Sequence, residues 1–277
     1  MCEHCLKHGE GKKWYLNVKN YSEELFHSHK KSIEGVVFDG DTIFPHNLRG
    51  VNTYHQKYPF LKNYILRRTE KELKKLHFSQ VITLEDVNEI LHSIVRSVVR
   101  FPCICRKMLY DKKDERLCYG IAINDNTSPA IYAKQSLNYD CDLEVMTTQS
   151  AYEAIKDHQI NGNVSTVWTF GMPFIGVICN CNLSDCVMLK IQAEHGTVRS
   201  VTRGEYVAQV DPDKCNGCKE CLKVCNFGAI SFSSTMNRAR INQFQCWGCG
   251  ICRLVCQKDA ISLKDRNKLP ALKDVWY

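Results

Sequence analysis

Several common signatures are missing from this 277-residue chain. It has no run of about 18 consecutive apolar residues, the length that a membrane-spanning helix needs. It also lacks the G-x-G-x-x-G fingerprint of dinucleotide-binding folds, the Walker A loop of nucleotide-binding proteins and the G-x-S-x-G turn of serine hydrolases. Its first residues are polar and rich in cysteine and histidine, unlike a secretory signal peptide. These absences argue against NAD, ATP or serine-hydrolase chemistry and predict a cytoplasmic protein without a membrane span.

Cysteine, in contrast, is abundant, with 17 in the chain. Such a count indicates disulfides in a short secreted protein, but this chain is long and spaces its cysteines as metal ligands are spaced. Two runs share the spacing C-x2-C-x2-C-x3-C, and the second follows the first at an offset of 31 residues. The flanking Ala-Ile-Ser at 229–231 recurs at 260–262 with the same offset. The segment is therefore an internal duplication.

The spacing within each run predicts how iron–sulfur clusters are bound. Three cysteines at x2 intervals fit a tight loop around one four-iron cube, whereas the fourth lies too far along to close the same cube. The fourth cysteine is therefore predicted to bind the cluster of the other run. The predicted ligands are Cys215, Cys218, Cys221 and Cys256 for cluster I, and Cys246, Cys249, Cys252 and Cys225 for cluster II. Two zinc sites are the alternative, although such close spacing suits a cube better than a single tetrahedral ion.

Residues 206–265 resemble the bacterial-type two-cluster ferredoxins in these motifs. The resemblance implies two repeats of strand, cluster loop, short helix and strand, which hold two [4Fe–4S] clusters and transfer single electrons. One departure is that Asn226 and Gln257 follow the fourth cysteines, where that family usually has proline. The change leaves the ligands intact but removes the basis for assuming the family's reduction potential.

Further candidate ligands precede this segment. Two arms each contain a C-x-C pair and one more cysteine: Cys103, Cys105 and Cys118, and Cys179, Cys181 and Cys186. Because a C-x-C pair in an extended segment puts both thiols on one side, two arms could enclose one metal centre. A third [4Fe–4S] cluster is predicted here; a zinc site, more than one added cluster, and buried packing cysteines are the alternatives. Cys2, Cys5 and His8 are predicted to bind zinc or another metal, completed by His27 or His29.

The fold prediction is α+β, with a mainly helical N-terminal region, a small mixed α/β middle region with Cys-bearing loops, and a C-terminal ferredoxin-like dicluster module. Helices are predicted at 22–34, 60–76, from Thr83 to about residue 100, and from 148 or 150 to about 158. Strands are predicted at 119–123, 164–168 and 175–179. Two domains follow, 1–204 and 205–277.

The charge balance bears on partners. The formal charge of +7 counts cysteine as neutral, whereas eight thiolates around two cores of roughly +2 each add about −4. The remaining charge is too small to predict nucleic-acid binding, and a partner redox protein or enzyme complex is expected instead.

The predicted function is electron transfer through two [4Fe–4S] clusters and a third, to or from a partner redox enzyme. An iron–sulfur reductase is the alternative, with an N-terminal cluster that has an open iron and receives electrons from the ferredoxin module; a metal-dependent assembly or regulatory protein is a third interpretation. Whether the chain is an enzyme stays open. Residues 167–181 and 203–211 resemble larger iron–sulfur proteins of anaerobes with no assigned substrate, which implies oxygen sensitivity and an anaerobic source.

Overall fold

A computed structural model describes residues 13–21, 24, 64, 67–68, 70–71, 78–103, 106, 114–122, 143–169, 175–193 and 199–277. Cys2, Cys5, His8 and Cys105 lie outside these residues, as does nearly all of the helix predicted at 22–34. Within the helix predicted at 60–76, the described residues 64, 67, 68, 70 and 71 are helical. No helix in the described ranges is both long and apolar enough to cross a membrane.

A mixed sheet of seven strands is the centre of the fold. The strands are β1 (Ser79–Val81), β2 (Ser97–Phe101), β3 (Cys118–Ala122), β4 (Glu144–Met146), β5 (Val164–Thr169), β6 (Ile175–Cys181) and β7 (Val201–Thr202). Their spatial order is β4-β2-β3-β6-β5-β1-β7. Every neighbouring pair is antiparallel except β1 and β7, which are parallel.

Two helices cover one face of this sheet. Helix α1 (Leu84–Ser93) begins with a capping box between Thr83 and Asp86, and helix α2 (Thr148–Ile160) begins after the N-cap Thr147. Their apolar sides pack with alternate strand residues in one buried cluster that includes Ile90 and Ile155. Helix α3 (Val187–Ala193) follows β6 and precedes β7. Burial of this apolar face is what holds the sheet and helices together.

The expected mainly helical N-terminal region is not supported, because the described residues combine helices with this seven-stranded sheet. The helix expected from Thr83 to about residue 100 ends at Ser93, and the chain then forms β2. Val98 and Val99 are apolar at positions that fit a helix, but β-branched residues favour strands and these pair with β3 and β4. A strand, rather than a helix, therefore leads to Cys103.

The duplicated segment forms a second, smaller unit. It consists of β8 (Tyr206–Val210), α4 (Glu220–Lys223), β9 (Ile230–Ser233), β10 (Arg238–Ile241), α5 (Ile251–Leu254) and β11 (Ile261–Asp265). Strand β8 pairs with β11, and β9 pairs with β10, both antiparallel. Three pairs of positions at the 31-residue offset share a positive φ: Gly217 and Gly248, Lys219 and Gly250, Gly228 and Asp259. The backbone thus repeats as the sequence does.

Backbone contacts join this unit to the sheet across the domain boundary predicted between residues 204 and 205. That boundary stays a prediction. The backbone N–H of Gly204 donates to the carbonyl of Trp247, and that of Arg203 donates to the carbonyl of Trp276. Trp276 is buried in the cluster beneath the two helices. The last residues of the chain therefore pack against the first part of the fold.

Candidate metal centres

The outer candidate site is a cavity lined by four cysteines. Cys215 and Cys218 lie in the loop before α4, and Cys221 lies within α4. Cys256 follows α5 of the other repeat. Cys218 is exposed and Cys221 is buried. The fold thus places the fourth cysteine of the second run beside the first three of the first run.

The inner candidate site consists of Cys246, Cys249 and Cys252 of the second repeat, together with Cys225 of the first. It is called inner because it faces the sheet. Burial, with smaller contributions from the nearby thiols of Cys246 and Cys225, raises the pKa of Cys249 to about 12. Burial likewise raises the pKa of Cys252, with added contributions from Cys249, Cys246 and Cys225. Cys225 packs against the buried cluster that contains Cys246 and Cys252, so it lies with the cysteines of the other run. Thiols grouped in this way release their protons when they bind metal.

Glycine conformation and backbone donors shape both sites. Gly248 has φ +77°, and a Cβ there would lie 2.1 Å from the carbonyl oxygen of Tyr206. Gly217 occupies the same place in the first repeat, where a Cβ would lie 2.5 Å from the carbonyl oxygen of Asn237. The N–H of Ala208 donates to Cys246 Sγ at 3.4 Å, and Ala260 N–H donates to Cys256 Sγ at 3.3 Å. Such donors stabilise negative charge on cluster sulfur.

The donor set fits an iron–sulfur cluster. In the described part of the chain, no group of three or more His, Cys, Asp or Glu side chains is arranged to hold a single metal ion. Ligands of a four-iron cube bind four different iron atoms, so they stand farther apart than the ligands of one ion. Four thiols around one cavity, with N–H donors aimed at the sulfurs, are what such a cube requires.

A comparison with known families supports this chemistry. Residues 214–261 match the model of the 4Fe-4S dicluster domain, and the matched segment contains all eight cysteines of the two runs. The match supports the ferredoxin-like dicluster module and the binding of [4Fe–4S] clusters by it. No curated protein matches the chain.

A second group of cysteines meets on the sheet face opposite α1 and α2. Cys118 in β3 and Cys179 in β6 are directly opposed, with 3.9 Å between their Sγ atoms. Cys181, two residues beyond Cys179, lies on the same face because side chains alternate along a strand. Hydrogen bonds with Cys103 and Cys179 raise the pKa of Cys118, and one with Cys186 raises the pKa of Cys181.

The structure therefore brings together five of the six cysteines predicted for a further cluster. The sixth, Cys105, lies outside the described residues. The expectation of loops is wrong for Cys118 and Cys181, which are strand residues, whereas Cys179 lies in β6 as the strand predicted at 175–179 requires. The reason is that the apolar runs of β3 and β6 continue through the cysteines, which behave as small apolar side chains in a buried strand.

The sequence analysis did not identify one charged residue that lies beside these cysteines. Arg106 is only 4% exposed, and its Nη2 lies 3.5 Å from Cys181 Sγ and 3.2 Å from Asp185 Oδ2. Its Nη1 also bonds to Glu115. Arg106 stands three residues after Cys103, and its proximity to Cys181 depends on contacts far apart in the chain. Asp185 thus binds Arg106, and the guanidinium places positive charge beside the thiols.

The inner site and the sheet cysteines share one apolar cluster. Cys103, Cys118, Cys181 and Cys186 are buried in it with Trp247 and Ile251 of the module, and Cys249 packs against it. Asn226, which stands where proline was expected, donates to the Gly162 carbonyl at 2.6 Å and accepts from the Leu183 N–H at 2.9 Å. The side chain after the fourth cysteine therefore connects the module to the loop between Cys181 and Cys186.

Proposed function

We propose that this chain is an iron–sulfur protein that carries single electrons through two [4Fe–4S] clusters to or from a partner redox protein. The supporting observation is that Cys256 lines the cavity formed by Cys215, Cys218 and Cys221, within a segment that matches the 4Fe-4S dicluster domain. Each cluster supplies a one-electron carrier when bound. The cysteines bind it, and the surrounding N–H groups, charges and apolar side chains set its potential.

The exposed edge of the outer site is the proposed docking point of the partner. Cys218 is the exposed cysteine of the eight, and exposed Lys219 and Lys258 line the same cavity. The inner site, by contrast, faces the sheet. An electron that enters at Cys218 therefore reaches the inner site through the module, and the sheet cysteines lie beyond it.

A third [4Fe–4S] cluster on Cys103, Cys118, Cys179, Cys181 and Cys186, with Cys105 as a further candidate, completes the proposal. The thiols cluster beside a buried guanidinium and share their apolar surroundings with the inner site. A centre in this position would continue the electron path from the module into the larger part of the fold.

Iron, acid-labile sulfide and zinc in anaerobically purified protein test the proposal. About twelve irons per chain are expected, and about eight would restrict the proposal to the dicluster module. The double variant Cys179→Ser/Cys181→Ser should lose about four irons, whereas Cys141→Ser, outside every predicted ligand set, should lose none. Fewer than four irons with stoichiometric zinc would contradict iron–sulfur electron transfer altogether.

Arg106 favours the reductase as a second candidate function. Its guanidinium, held by Glu115 and Asp185, presents positive charge beside Cys181, where a reductase would bind an anionic substrate. Small anions such as nitrite or sulfite, added to the reduced protein, distinguish the two functions. Substrate-dependent reoxidation that is lost in Arg106→Met would favour a reductase, whereas reoxidation by redox proteins alone favours a carrier.

A further inference from the structure

The two halves of the duplicated module differ in the positive charge beside them, which comes from buried Arg266 and half-buried Arg203. Arg266 is completely buried, and its Nη2 donates to the carbonyl of Cys246 at 2.9 Å. Arg203 lies over the Trp247 ring, with its Cζ 5.4 Å from the ring centroid, and bonds to the carbonyl of Phe244. Both guanidiniums therefore contact the backbone or side chains next to the first cysteine of the inner site.

The outer site has no counterpart of this arrangement. At the 31-residue offset, Arg203 corresponds to Ser234 and Arg266 to Thr235. Both are exposed neutral residues. The lysines that line the outer cavity, Lys219 and Lys258, are exposed, so water and salt screen their charge. The duplication thus gives one chain with two similar ligand loops in different electrostatic surroundings.

From this asymmetry we infer that Arg203 and Arg266 raise the reduction potential of the inner cluster above that of the outer cluster, so that a single added electron resides at the inner site. The inference rests on the proposed function. Cys246, Cys249, Cys252 and Cys225 then hold the acceptor, which gains one electron, while Cys215, Cys218, Cys221 and Cys256 hold the donor, which loses it. No bond or proton changes in the step.

Two opposing effects act on the potential of the inner cluster. Burial lowers a cluster's potential because the reduced form carries one more negative charge, and the inner cysteines are more buried than the outer ones. Low dielectric, however, also strengthens the attraction of a nearby cation. The buried carboxylate of Glu205 bonds to Gln80 and Asn267 near Arg266 and offsets one positive charge. Two arginines and one carboxylate leave a net charge of one positive unit beside the inner site. Both guanidiniums carry their charge at pH 7, because arginine stays protonated in proteins.

The test is a redox titration of the anaerobic holoprotein, followed by electron paramagnetic resonance. Arg203 is the better target because Arg266 also holds the carbonyls of Gly204 and Tyr206, so its loss would disturb the fold. Arg203→Gln should lower one of the two reduction potentials by at least about 59 mV. This shift is a tenfold change in the one-electron equilibrium between the two sites. Arg203→Lys, which keeps the charge, should restore most of it.

Two further variants identify the site that moves. Cys218→Ser changes a ligand of the outer site only, so it assigns the two potentials. Lys219→Gln removes a charge beside the outer site and should leave the inner potential unchanged. The inference is overturned if Arg203→Gln moves neither potential or moves the outer one, with at least eight irons present. Fewer than eight irons in the parent protein would instead overturn the proposed function, and the inference with it.

Discussion

Gly248 is the position where one methyl group should damage the molecule most selectively. A left-handed conformation costs a non-glycine residue roughly 1–2 kcal/mol, and Gly248 has φ +77°. A Cβ there would also lie 2.1 Å from the Tyr206 carbonyl, which must move at a further cost of roughly 1–3 kcal/mol. Gly248→Ala should therefore destabilise the protein by about 2–5 kcal/mol and release the inner cluster, since Cys246 and Cys249 flank the glycine.

Gly228 provides the matched control. It also has a positive φ, +62°, but a Cβ there would meet no atom within 4 Å. Its counterpart in the second repeat, Asp259, already holds a side chain at φ +46°. Gly228→Ala should destabilise the protein only by the cost of holding alanine in the left-handed conformation, roughly 1–2 kcal/mol.

The assay for both variants is cluster absorbance during anaerobic heating at one scan rate, with iron counted before heating, because loss of a cluster is irreversible. At about 2–4 °C per kcal/mol, the midpoint should fall by about 2–8 °C for Gly228→Ala, and by more for Gly248→Ala, together with part of the iron. Equal midpoints and full iron in both variants would refute the idea that close approach, rather than conformation, requires glycine.

Three more predictions concern the attachment of the module and the sheet. Asn226→Ala should destabilise the protein by the value of two partly buried hydrogen bonds, about 1–3 kcal/mol, and so lower the midpoint of heating. Gln257→Ala, at the exposed counterpart, should leave the midpoint unchanged. Burial lowers the pKa of His158 to about 4, so the unfolded chain binds more protons between pH 4 and 6.5 and stability is lost as the pH falls through that window. For this partly solvated ring the loss is about 1–2 kcal/mol, and His158→Gln should abolish that share of the difference between urea midpoints at pH 7 and pH 5. Thr83→Ala should cost about 1 kcal/mol through loss of the α1 N-cap, whereas Thr83→Ser, which keeps the hydroxyl, should not.

The features predicted well from sequence are those encoded over short distances. The spacing of the cysteines between 215 and 256 and their repetition identify the module, because a cluster loop draws its ligands from adjacent residues. The strands predicted at 164–168 and 175–179 match β5 and β6, since alternation and β-branched residues are local signals.

The features predicted poorly depend on distant pairing. The apolar residues from 94 to 99 fit a helix or a strand equally well by periodicity, and pairing with β3 and β4 decided the outcome. The meeting of Cys118 with Cys179 requires the β3–β6 register, which joins residues 61 apart in sequence. Arg106 next to Cys181 depends on the same long-range arrangement. No local pattern carries such information.

The replacement of proline by Asn226 makes sense once the sheet is considered with the module. Proline has no side-chain donor or acceptor and could only fix the turn after Cys225, whereas the asparagine amide bonds to Gly162 and Leu183 on the sheet side. Its counterpart Gln257 follows the fourth cysteine of the other run, on the outer side, and is exposed. The same position in two repeats thus meets the sheet in one case and solvent in the other. This difference, like buried Arg266 and half-buried Arg203, gives the inner and outer sites separate roles in the proposed electron path.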